Sequence, residues 1–402
     1  MTRRRRGWAL VRGLGVAALG VAALGVVLTS CGGGPILANP PQDFPTPVPP
    51  KPAPPRPADP LAVVLPRDDG PHDRLTEWWY YTGHLTTAGG RRFGFEAVIF
   101  RAERGDVPVT WASHLALTDE SGKRFLYGQR GEIGPQVDRS PRDAGGVPTG
   151  FDLAVGGPLS PRLDGALDPA ATPWRLAGSN GHDRIEAALS PAEAAVAGGA
   201  FGLRLELEST KPAALHDGDG WVEFGPAGGS YYYSRTRVAA VGELTLDGVV
   251  FPVTGIAWFD HQWGDFLSVG GGGWDWFAIN LEDGRDLTIS VVRDAAGEPV
   301  LRYGTLVDPD GGVRHLEAGE LSVEAGDAWT SPRTGRSYPI EWRIDGPLEV
   351  PLVLQATMPD QELDTRATTG VVYWEGSHWV SGWVGRTVVT GEAYVEITRY
   401  GP

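Results

Sequence analysis

Two aromatic segments joined by a Gly-Gly turn restrict the fold more than any other feature of the sequence. Residues 76–85 read TEWWYYTGHL and residues 92–101 read RFGFEAVIFR, with Gly89 and Gly90 between them. Aromatic and β-branched residues favour strands, and a short glycine turn between two strands predicts a β-hairpin. Side chains alternate along a strand, and both faces of the first segment carry aromatic rings. We therefore expect burial on both sides, as in a closed barrel with a lined interior.

The alternation assigns the side chains of the first segment to two faces. One face carries Trp78, Tyr80, Thr82 and His84, and the other carries Trp79, Tyr81 and Leu85. Large amphipathic rings suit the wall of a ligand cup as well as a packed core. We predict Trp78, Tyr80 and His84 as ligand-binding residues.

The rest of the chain continues this β pattern. Short segments rich in strand-forming residues recur at the spacing of an antiparallel meander, and none shows a long helical period. The predicted strands cover residues 109–118, 124–129, 151–155, 174–176, 184–189, 202–207, 301–307, 313–316, 340–344, 352–357, 371–374, 377–384 and 393–400. A short helix is predicted at residues 190–197, with Pro191 at its start. The 57 glycines, the 34 prolines and the charged fraction of 21% agree with a turn-rich, all-β protein.

A weak internal repeat predicts two related antiparallel barrels in tandem. Residues 78–85 (WWYYTGHL) precede a strand that ends at Arg101, and residues 274–281 (WDWFAINL) precede a strand that ends at Arg293. Each segment would open a barrel with an aromatic hairpin. A chain of 402 residues is long enough for two domains of ordinary size, which we place at residues 61–250 and 251–402.

The first sixty residues predict an export signal and a tether. Arginines at residues 3–6 precede an apolar run at 14–28 that is too short to span a membrane. The run ends in Leu-Thr-Ser-Cys, which resembles the bacterial lipobox, and Cys31 is the single cysteine of the chain. Twelve prolines at residues 32–60 predict an extended segment. We predict a signal peptide at 1–30, a lipidated Cys31 with a tether at 31–60, and a lipid-anchored, extracytoplasmic protein of the bacterial cell envelope.

The charge of the chain argues against nucleic acid as a partner. The formal net charge is −15, and removal of residues 1–30 leaves 30 basic against 50 acidic residues, a net charge of −20. Such a surface is repelled by phosphate backbones. We predict a hydrophobic small molecule and the membrane, through Cys31, as partners, without nucleic acid or an obligate protein partner.

Residues 254–294 concentrate the side chains that carry chemistry. Trp258, Asp260, His261, Trp263, Asp265, Trp274, Asp275 and Trp276 fall within nineteen residues, and the glycines of residues 270–273 divide them. Indole rings supply stiff apolar walls, and a carboxylic acid among them is pushed toward its neutral, proton-donating form. The alternative is a barrel end sealed by aromatic rings, with surface aspartates in the turns.

The motifs of several common enzyme classes are missing from the sequence. It contains no G-x-S-x-G, no H-E-x-x-H, no P-loop and no G-x-G-x-x-G after a strand. The eight histidines stand singly, and no local spacing supports a metal site from His84, His114 and His261. We therefore predict neither a metal nor another cofactor.

Several segments together resemble one family. They are Glu77-Trp78-Trp79-Tyr80, Gly83-His84-Leu85, Phe95-Glu96, Ser113-His114-Leu115, residues 258–264 (WFDHQWG), Trp274-Asp275-Trp276 and residues 394–398 (YVEIT). This set resembles the carotenoid 1,2-hydratase (hydroxyneurosporene synthase) family and its secreted relatives, the AttH-domain proteins, often labelled predicted secreted hydrolases. The resemblance runs from about residue 72 to the end of the chain. It implies two tandem lipocalin-like barrels.

The resemblance also implies a reaction without a cofactor. Some members protonate the terminal double bond of an acyclic carotenoid, and water then captures the tertiary carbocation. Asp260 matches the aspartate of the family motif and is the predicted acid, while His261 would tune it or position the water. Rings would stabilise the cation and line the cup. The predicted ligand-binding residues are Trp78, Tyr80, His84, Tyr232, Trp258, Trp263, Trp274, Asp275 and Trp276.

Other interpretations of the same residues stay open. Asp260 could accept backbone hydrogen bonds at a turn before Gly264, and His84 and His261 could be satisfied histidines of the barrel wall. The predicted function is an envelope-anchored lipoprotein whose cavity holds an apolar, isoprenoid-like ligand and hydrates a carbon-carbon double bond. A non-catalytic carrier or sensor of hydrophobic molecules is the alternative, and a structural protein with filled barrels is a third.

Overall fold

A computed structural model describes residues 58–105, 107–224, 228–266 and 271–399. The predicted signal peptide, Cys31 and most of the tether lie outside the described residues. None of the described helices is long and apolar enough to cross a membrane.

The first half of the chain forms one large sheet in which all neighbouring strands are antiparallel. From one edge to the other its main path runs β4-β3-β2-β1-β12-β11-β8-β7-β6-β5, and β9 and β10 both pair with β11. The strands are β1 Thr76–Thr87, β2 Arg92–Arg104, β3 Val107–Asp119, β4 Arg124–Ile133, β5 Phe151–Val155, β6 Trp174–Ser179, β7 His182–Ala188, β8 Phe201–Ser209, β9 Ala214–Leu215, β10 Trp221–Glu223, β11 Gly229–Leu246 and β12 Val249–Gly264.

The second half forms a smaller sheet with the same opening arrangement. Its main path runs β16-β15-β14-β13-β24-β23-β21-β20-β17, with β22 on β23 and a separate ribbon of β18 and β19. The strands are β13 Gly271–Leu281, β14 Asp286–Asp294, β15 Pro299–Val307, β16 Val313–Leu316, β17 Ser322–Ala325, β18 Ala328–Thr330, β19 Ser337–Pro339, β20 Glu341–Asp345, β21 Leu352–Ala356, β22 Glu362–Asp364, β23 Val372–Val384 and β24 Thr387–Arg399. In each half the first strand pairs with both the second and the last, so β1 and β13 occupy equivalent places. The weak repeat in the sequence corresponds to these two strands.

The described residues contain one α-helix, α1, at Pro191–Ala197. The Ser190 side chain accepts a hydrogen bond from the Glu193 backbone N–H, and the Glu193 side chain accepts one from Ser190, which forms a capping box. Gly198 ends the helix in the left-handed conformation. Short 3₁₀ turns lie at Arg67–Asp69, Pro135–Val137, His216–Gly218 and Ala318–Glu320. The predictions of an all-β, lipocalin-like chain and of this one short helix are confirmed.

The boundary between the sheets differs from the predicted division at residues 250 and 251. That position falls inside β12, which pairs along its length with both β1 and β11, so the first sheet extends to Gly264. A tight turn lies at Asp247 and Gly248, both of which have positive φ. This turn joins two strands of one sheet and does not separate domains.

The three largest clusters of buried side chains among the described residues hold these layers together. The first sheet encloses one apolar cluster, which includes Trp79, Tyr81 and Phe259, and the second sheet encloses another around Phe277 and Trp342. A third cluster lies where the outer faces of β1, β2, β3 and β12 meet those of β13 and β24. Its members are Tyr80, Val98, Phe100, Ala102, Ala112, Trp258, Trp276, Ala278 and Tyr394, with Trp78 and Trp274 packed against it. We call this region, together with the adjoining faces of β11 and β23, the inter-sheet interface.

The expectation that β1 is buried on both faces is confirmed, with one difference. Trp79 and Tyr81 fill the interior of the first sheet, as a curled sheet requires. The opposite face, with Tyr80 and Thr82, is covered by the second sheet and lies outside the first barrel. Both halves of the chain therefore contribute to the environment of this face.

Candidate functional site

The inter-sheet interface collects four acidic side chains from strands that are far apart in sequence. Asp260 on β12 and Glu96 on β2 come from the first sheet, and Glu375 on β23 and Glu396 on β24 come from the second. Asp260, Glu96 and Glu375 are buried, and Glu396 is partly buried. Strand register aligns them, because Tyr80 pairs with Asp260, Thr82 pairs with Glu96 and Glu375 pairs with Glu396.

Asp260 is held by three donors. The Tyr232 hydroxyl donates to Oδ2 at 2.5 Å, the Trp258 indole donates to Oδ1 at 2.7 Å, and the Ser234 hydroxyl also donates to Oδ1. Trp276 of the second sheet donates to the Tyr232 hydroxyl at 3.1 Å. Burial raises the pKa of Asp260 to about 6, although the hydrogen bonds pull it down. Asp260 therefore exchanges a proton close to neutral pH and is mostly ionised at pH 7.

A buried histidine extends this network into the second sheet. His216 Nε2 lies 2.7 Å from the Ser234 hydroxyl, and Nδ1 lies 2.9 Å from the Thr305 hydroxyl. Its ring packs on that of Tyr232 at a centroid distance of 3.8 Å. Burial lowers the pKa of His216 to about 3, so the ring is neutral. The histidine fixes Ser234, which in turn holds Asp260.

The three glutamates have very different surroundings from Asp260. Among the described residues, neither oxygen of Glu375 has a hydrogen-bond partner of normal geometry. Glu96 Oε1 accepts from the Tyr373 hydroxyl at 2.7 Å, while Oε2 has no such partner within the described chain. Glu375 and Glu396 lie directly opposite each other, where two charges of the same sign would repel. This arrangement is stable when protons are bound.

The pKa shifts of the glutamates follow from this environment. Burial raises the pKa of Glu96 to about 8 and that of Glu396 to about 7. Burial, followed by the charges of Glu96 and Glu396, raises the pKa of Glu375 well above its ordinary value. At neutral pH the cluster therefore contains neutral carboxylic acids, which can donate a proton.

Unpaired polar atoms are concentrated around these acids. The Tyr80 hydroxyl, the Thr82 hydroxyl and both ring nitrogens of His84 are buried and make no hydrogen bond of normal geometry with the described residues, although His84 Nδ1 lies 3.8 Å from Glu120. The same is true of Glu96 Oε2 and of both Glu375 oxygens. Buried polar groups are nearly always hydrogen-bonded in native proteins. Because all of these atoms project from one face of β1, from β2 or from β23, they indicate a surface built to contact a ligand or water.

The structure brings most of the predicted ligand-binding residues together. Trp78, Tyr80, His84, Tyr232, Trp258, Trp274 and Trp276 all lie at the inter-sheet interface or in its hydrogen-bond network. Tyr80 meets Trp276 edge to face at a centroid distance of 5.3 Å, and Trp258 meets the same ring at 6.3 Å. These rings provide an apolar wall beside the acids.

Three predicted site residues lie elsewhere. His261 projects into the first sheet, where its ring stacks near Trp79 and Nε2 lies 3.0 Å from Glu77. Trp263 is on that same side and stacks on His72 at 4.1 Å. Asp275 forms an ion pair with Arg293 at 2.7 Å. Adjacent residues of a strand point to opposite faces, so the predicted contact of His261 with Asp260 does not form.

The sequence prediction missed Glu96, Glu375, Glu396, Tyr373, Ser234 and His216 as site residues. Glu96, Glu375 and Glu396 each have apolar or aromatic immediate neighbours in their strands, in Phe95-Glu96-Ala97, Trp374-Glu375-Gly376 and Val395-Glu396-Ile397. A carboxylate in such a strand, on the same alternating face as the aromatic rings, is the signal that could have identified them. His216 lies in a 3₁₀ turn and carries no comparable signal.

A second group of side chains could hold a metal ion. Ligand atoms of His72, Glu77 and His261 lie within 4.8 Å of one another, and two imidazoles with one carboxylate suit a divalent transition metal. In the present geometry both rings contact Glu77 Oε1, at 2.7 Å from His72 and 3.0 Å from His261. Burial opposes ionisation of Glu77, yet the charge of His72 and the hydrogen bonds from both rings lower its pKa to about 2. This network accounts for the cluster without a metal. The alternative set of His84, His114 and His261 does not form, because His261 faces the interior of the first sheet.

A surface cleft of about 570 Å³ opens beside the interface. It lies between β4 and α1 on one side and the segment around Met358 and Glu362 on the other, and Gln129 and Tyr127 line its floor. Its volume is in the range of small-molecule sites. Glu96 lies on the same face two strands away, because Tyr127 pairs with Ala116 and Ala116 pairs with Glu96.

Comparison with known proteins places this fold in a family. The AttH-like family matches residues 55–400, a range that contains every described residue of the interface. The chain belongs to the AttH-like family. This confirms the AttH part of the resemblance found in the sequence. Comparison with curated proteins gave no significant match.

Solved structures share the fold of this AttH-like chain over most of its length. A putative AttH protein from Nitrosomonas europaea is similar with a TM-score of 0.69 and 29% identity, over 85% of this chain and 98% of that chain. Kievitone hydratase from Nectria haematococca is similar with a TM-score of 0.59 and 18% identity, over 84% of this chain and 93% of that chain. CghA is similar with a TM-score of 0.50 and 12% identity, over 81% and 89%. The similarity to kievitone hydratase and to CghA, at 18% and 12% identity, is a similarity of fold.

Proposed function

We propose that this AttH-like protein is a cofactor-free hydratase of apolar, isoprenoid-like molecules that contain carbon-carbon double bonds. The observation that carries the proposal is Glu375, a buried acid that faces Glu396 beside the aromatic wall of the interface and makes no hydrogen bond of normal geometry with the described residues. Protonation of an alkene requires an acid that is neutral at working pH and shielded from water. Kievitone hydratase, which shares the fold, is a hydratase by name.

The steps follow from the two kinds of acid in the interface. The π electrons of the double bond take the proton of Glu375, which leaves a carboxylate and a carbocation. The faces of Tyr80, Trp258 and Trp276 stabilise that cation, each by about 1 kcal/mol or more when water is excluded. Water then forms the new C–O bond and loses a proton to a carboxylate such as Asp260, whose pKa of about 6 suits a base.

Asp260, the acid predicted from the sequence, changes its role in this proposal. Three donors stabilise its ionised form, which favours proton acceptance over donation. Glu375 makes no hydrogen bond of normal geometry within the described chain, has only the Tyr80 hydroxyl as a nearby donor and faces Glu396, so its neutral form is favoured. His261 takes no part in the reaction, because it projects into the other face of β12.

The test starts from the ligand that the native protein carries. Apolar molecules that co-purify with the full-length protein are identified by mass spectrometry and then incubated with it in D₂O and in ¹⁸O-labelled water. A hydratase incorporates one carbon-bound deuterium from D₂O and one ¹⁸O atom from labelled water. A molecule that binds but never gains label would instead support a carrier.

A carrier or sensor of hydrophobic molecules is the second candidate. It is favoured by the aromatic wall, which would hold an apolar molecule whether or not a reaction follows. The variant Glu375→Gln, which keeps the shape of the side chain, distinguishes the two functions. If the protein is a carrier, the variant will bind the ligand as tightly as the wild type, and neither protein will convert the ligand.

The lipid anchor belongs to the same proposal. A diacylated Cys31 would place the protein at an envelope membrane, where apolar isoprenoids partition. Growth with an alkyne-tagged fatty acid should label the wild-type protein and recover it with membranes. Cys31→Ala should remain unlabelled, and equal labelling of both proteins would exclude this anchor.

A further inference from the structure

A continuous row of hydrogen-bonding side chains leads from Glu96 toward the protein surface. The Tyr373 hydroxyl donates to Glu96 Oε1 at 2.7 Å, and the same hydroxyl lies 2.7 Å from His114 Nδ1. The other ring nitrogen, Nε2, lies 3.0 Å from the Thr368 hydroxyl. No step in this row exceeds 3.0 Å, which is normal hydrogen-bond distance.

The row ends beside the cleft. Thr368 is partly exposed, and its hydroxyl lies 2.9 Å from Gln129 Oε1. Gln129 lines the cleft of about 570 Å³ described above. Glu96, at the other end, is fully buried. The row therefore joins a solvent-accessible cleft to the acids of the interface.

The two halves of the protein contribute alternate members of the row. Glu96 on β2 and His114 on β3 belong to the first sheet, and Tyr373 on β23 belongs to the second. Thr368 lies in the turn between β22 and β23, which is closed by backbone bonds from residues 368, 369 and 370 to the Thr365 carbonyl. Such an arrangement forms only when both halves are packed together.

The chemistry of each member suits transfer of a proton. Burial lowers the pKa of His114 to about 3, so its ring is neutral and has one donor and one acceptor nitrogen. Because the Tyr373 hydroxyl donates to Glu96, the network assigns the proton of His114 to Nδ1 and leaves Nε2 free to accept. The Thr368 hydroxyl donates to Gln129 Oε1 at 2.9 Å, and rotation about its C–O bond turns the same proton toward Nε2, 3.0 Å away. A neutral imidazole in this state can receive a proton at one nitrogen and release one from the other.

We propose that Thr368, His114 and Tyr373 form a proton relay that exchanges the proton of Glu96 with water in the cleft. Glu96 interacts electrostatically with Glu375, so exchange of the Glu96 proton with the cleft adjusts the charge beside the proposed acid between turnovers, and in this respect the relay rests on the proposed function. His114 and Tyr373 act as positioning residues, since neither contacts the substrate.

Each transfer along the relay is balanced. The Glu96 carboxylate takes the hydroxyl proton of Tyr373, whose oxygen takes the Nδ1 proton of His114. His114 Nε2 takes the hydroxyl proton of Thr368, and Thr368 takes a proton from a hydronium ion in the cleft. One O–H bond has then formed at Glu96 and one has broken in the solvent, and His114 is left as the other tautomer. Transfer in the reverse direction restores the first tautomer.

Hydrogen-deuterium exchange of the Glu96 carboxyl group tests the relay without any substrate. The full-length protein is mixed rapidly with D₂O near pH 6, below the pKa of about 8, and the shift of the carboxylic C=O band is followed by infrared spectroscopy. Loss of the band in Glu96→Gln assigns it. We expect His114→Phe and Thr368→Val to slow the exchange roughly tenfold or more.

A matched control separates the relay from general disturbance of a buried histidine. His378 is also buried, and its pKa is also lowered to about 3, but it packs on Trp374 in the interior of the second sheet. His378→Phe should leave the exchange rate of Glu96 unchanged. Thr368→Val alters a partly exposed turn, so it remains decisive if His114→Phe does not fold.

The outcomes distinguish the relay from the proposed reaction. Slow exchange in both relay variants with a normal rate in His378→Phe supports the relay even if no hydration is found. Wild-type exchange rates in Thr368→Val and in folded His114→Phe would overturn it, whatever the protein's reaction is.

Discussion

Asp260 and Glu375 are buried in the same interface but are held in opposite ways. Asp260 accepts hydrogen bonds from Tyr232, Ser234 and Trp258, whereas Glu375 accepts none of normal geometry from the described residues and faces Glu396. Burial raises the pKa of both, yet Asp260 reaches only about 6 while Glu375 rises well above its ordinary value. Burial alone therefore does not decide what a carboxyl group can do. The donors around it decide whether it acts as a base or as an acid.

The largest expected effect is on turnover in Glu375→Gln. Glutamine keeps the shape of the neutral acid but has no acidic proton, so hydration of the co-purified ligand should fall by roughly 10²- to 10⁴-fold. Label incorporation from D₂O, followed by mass spectrometry, measures this directly. Ligand affinity, measured in parallel, should remain close to wild type. Full turnover in the folded variant would exclude Glu375 as the acid.

The second largest effect concerns the free energy of unfolding. We expect the buried glutamates to cause most of its dependence on pH. The folded-state pKa of Glu96, about 8, is raised above the ordinary value of 4.5. Its contribution to stability is therefore fully present below pH 4.5 and is lost as pH rises through 8, by a few kcal/mol. Chemical denaturation from pH 5 to 9 should show this loss, and Glu96→Gln should make the profile flatter. An equally steep alkaline loss in the variant would assign it to other groups.

The smallest effect concerns the stability of Asp260→Asn at neutral pH. The amide removes the charge that three donors stabilise and can place its NH₂ group against one of them, so the free energy of unfolding should fall by about 1.5–3 kcal/mol. Glu375→Gln, which replaces one neutral group with another, should show little or no loss. Denaturation of both variants at pH 7 makes the comparison. Equal destabilisation would remove the distinction between the two carboxyl groups.

The sequence predicted the parts of this structure that depend on local periodicity. Alternation along residues 76–85 correctly placed Tyr80 and His84 on one face and Trp79 and Tyr81 on the other. The capped helix after Ser190 and the equivalence of β1 and β13 also followed from short patterns. The predicted division at residue 250 falls inside β12, whose long-range pairing with β1 has no local signature in the sequence.

The site depends on contacts that local patterns do not contain. Asp260 was found because it stands among tryptophans, but Glu96, Glu375 and Glu396 meet only when the outer faces of two sheets pack together. His261 was assigned to the site because it follows Asp260 directly. The alternation that excludes a contact between neighbours on a strand also excludes that assignment. Pairing across nearly three hundred residues, as between Tyr373 and Glu96, has no signature in one sequence.

The protonation state of Glu375 at neutral pH is the most direct test of this account. Carbon-13 NMR of glutamate labelled at the side-chain carboxyl carbon, with Glu375→Gln used for assignment, reports it in the full-length protein. We expect the Glu375 signal to stay at the position of a neutral acid at pH 7. A signal that titrates near the ordinary value of 4.5 and is ionised at pH 7 would contradict it.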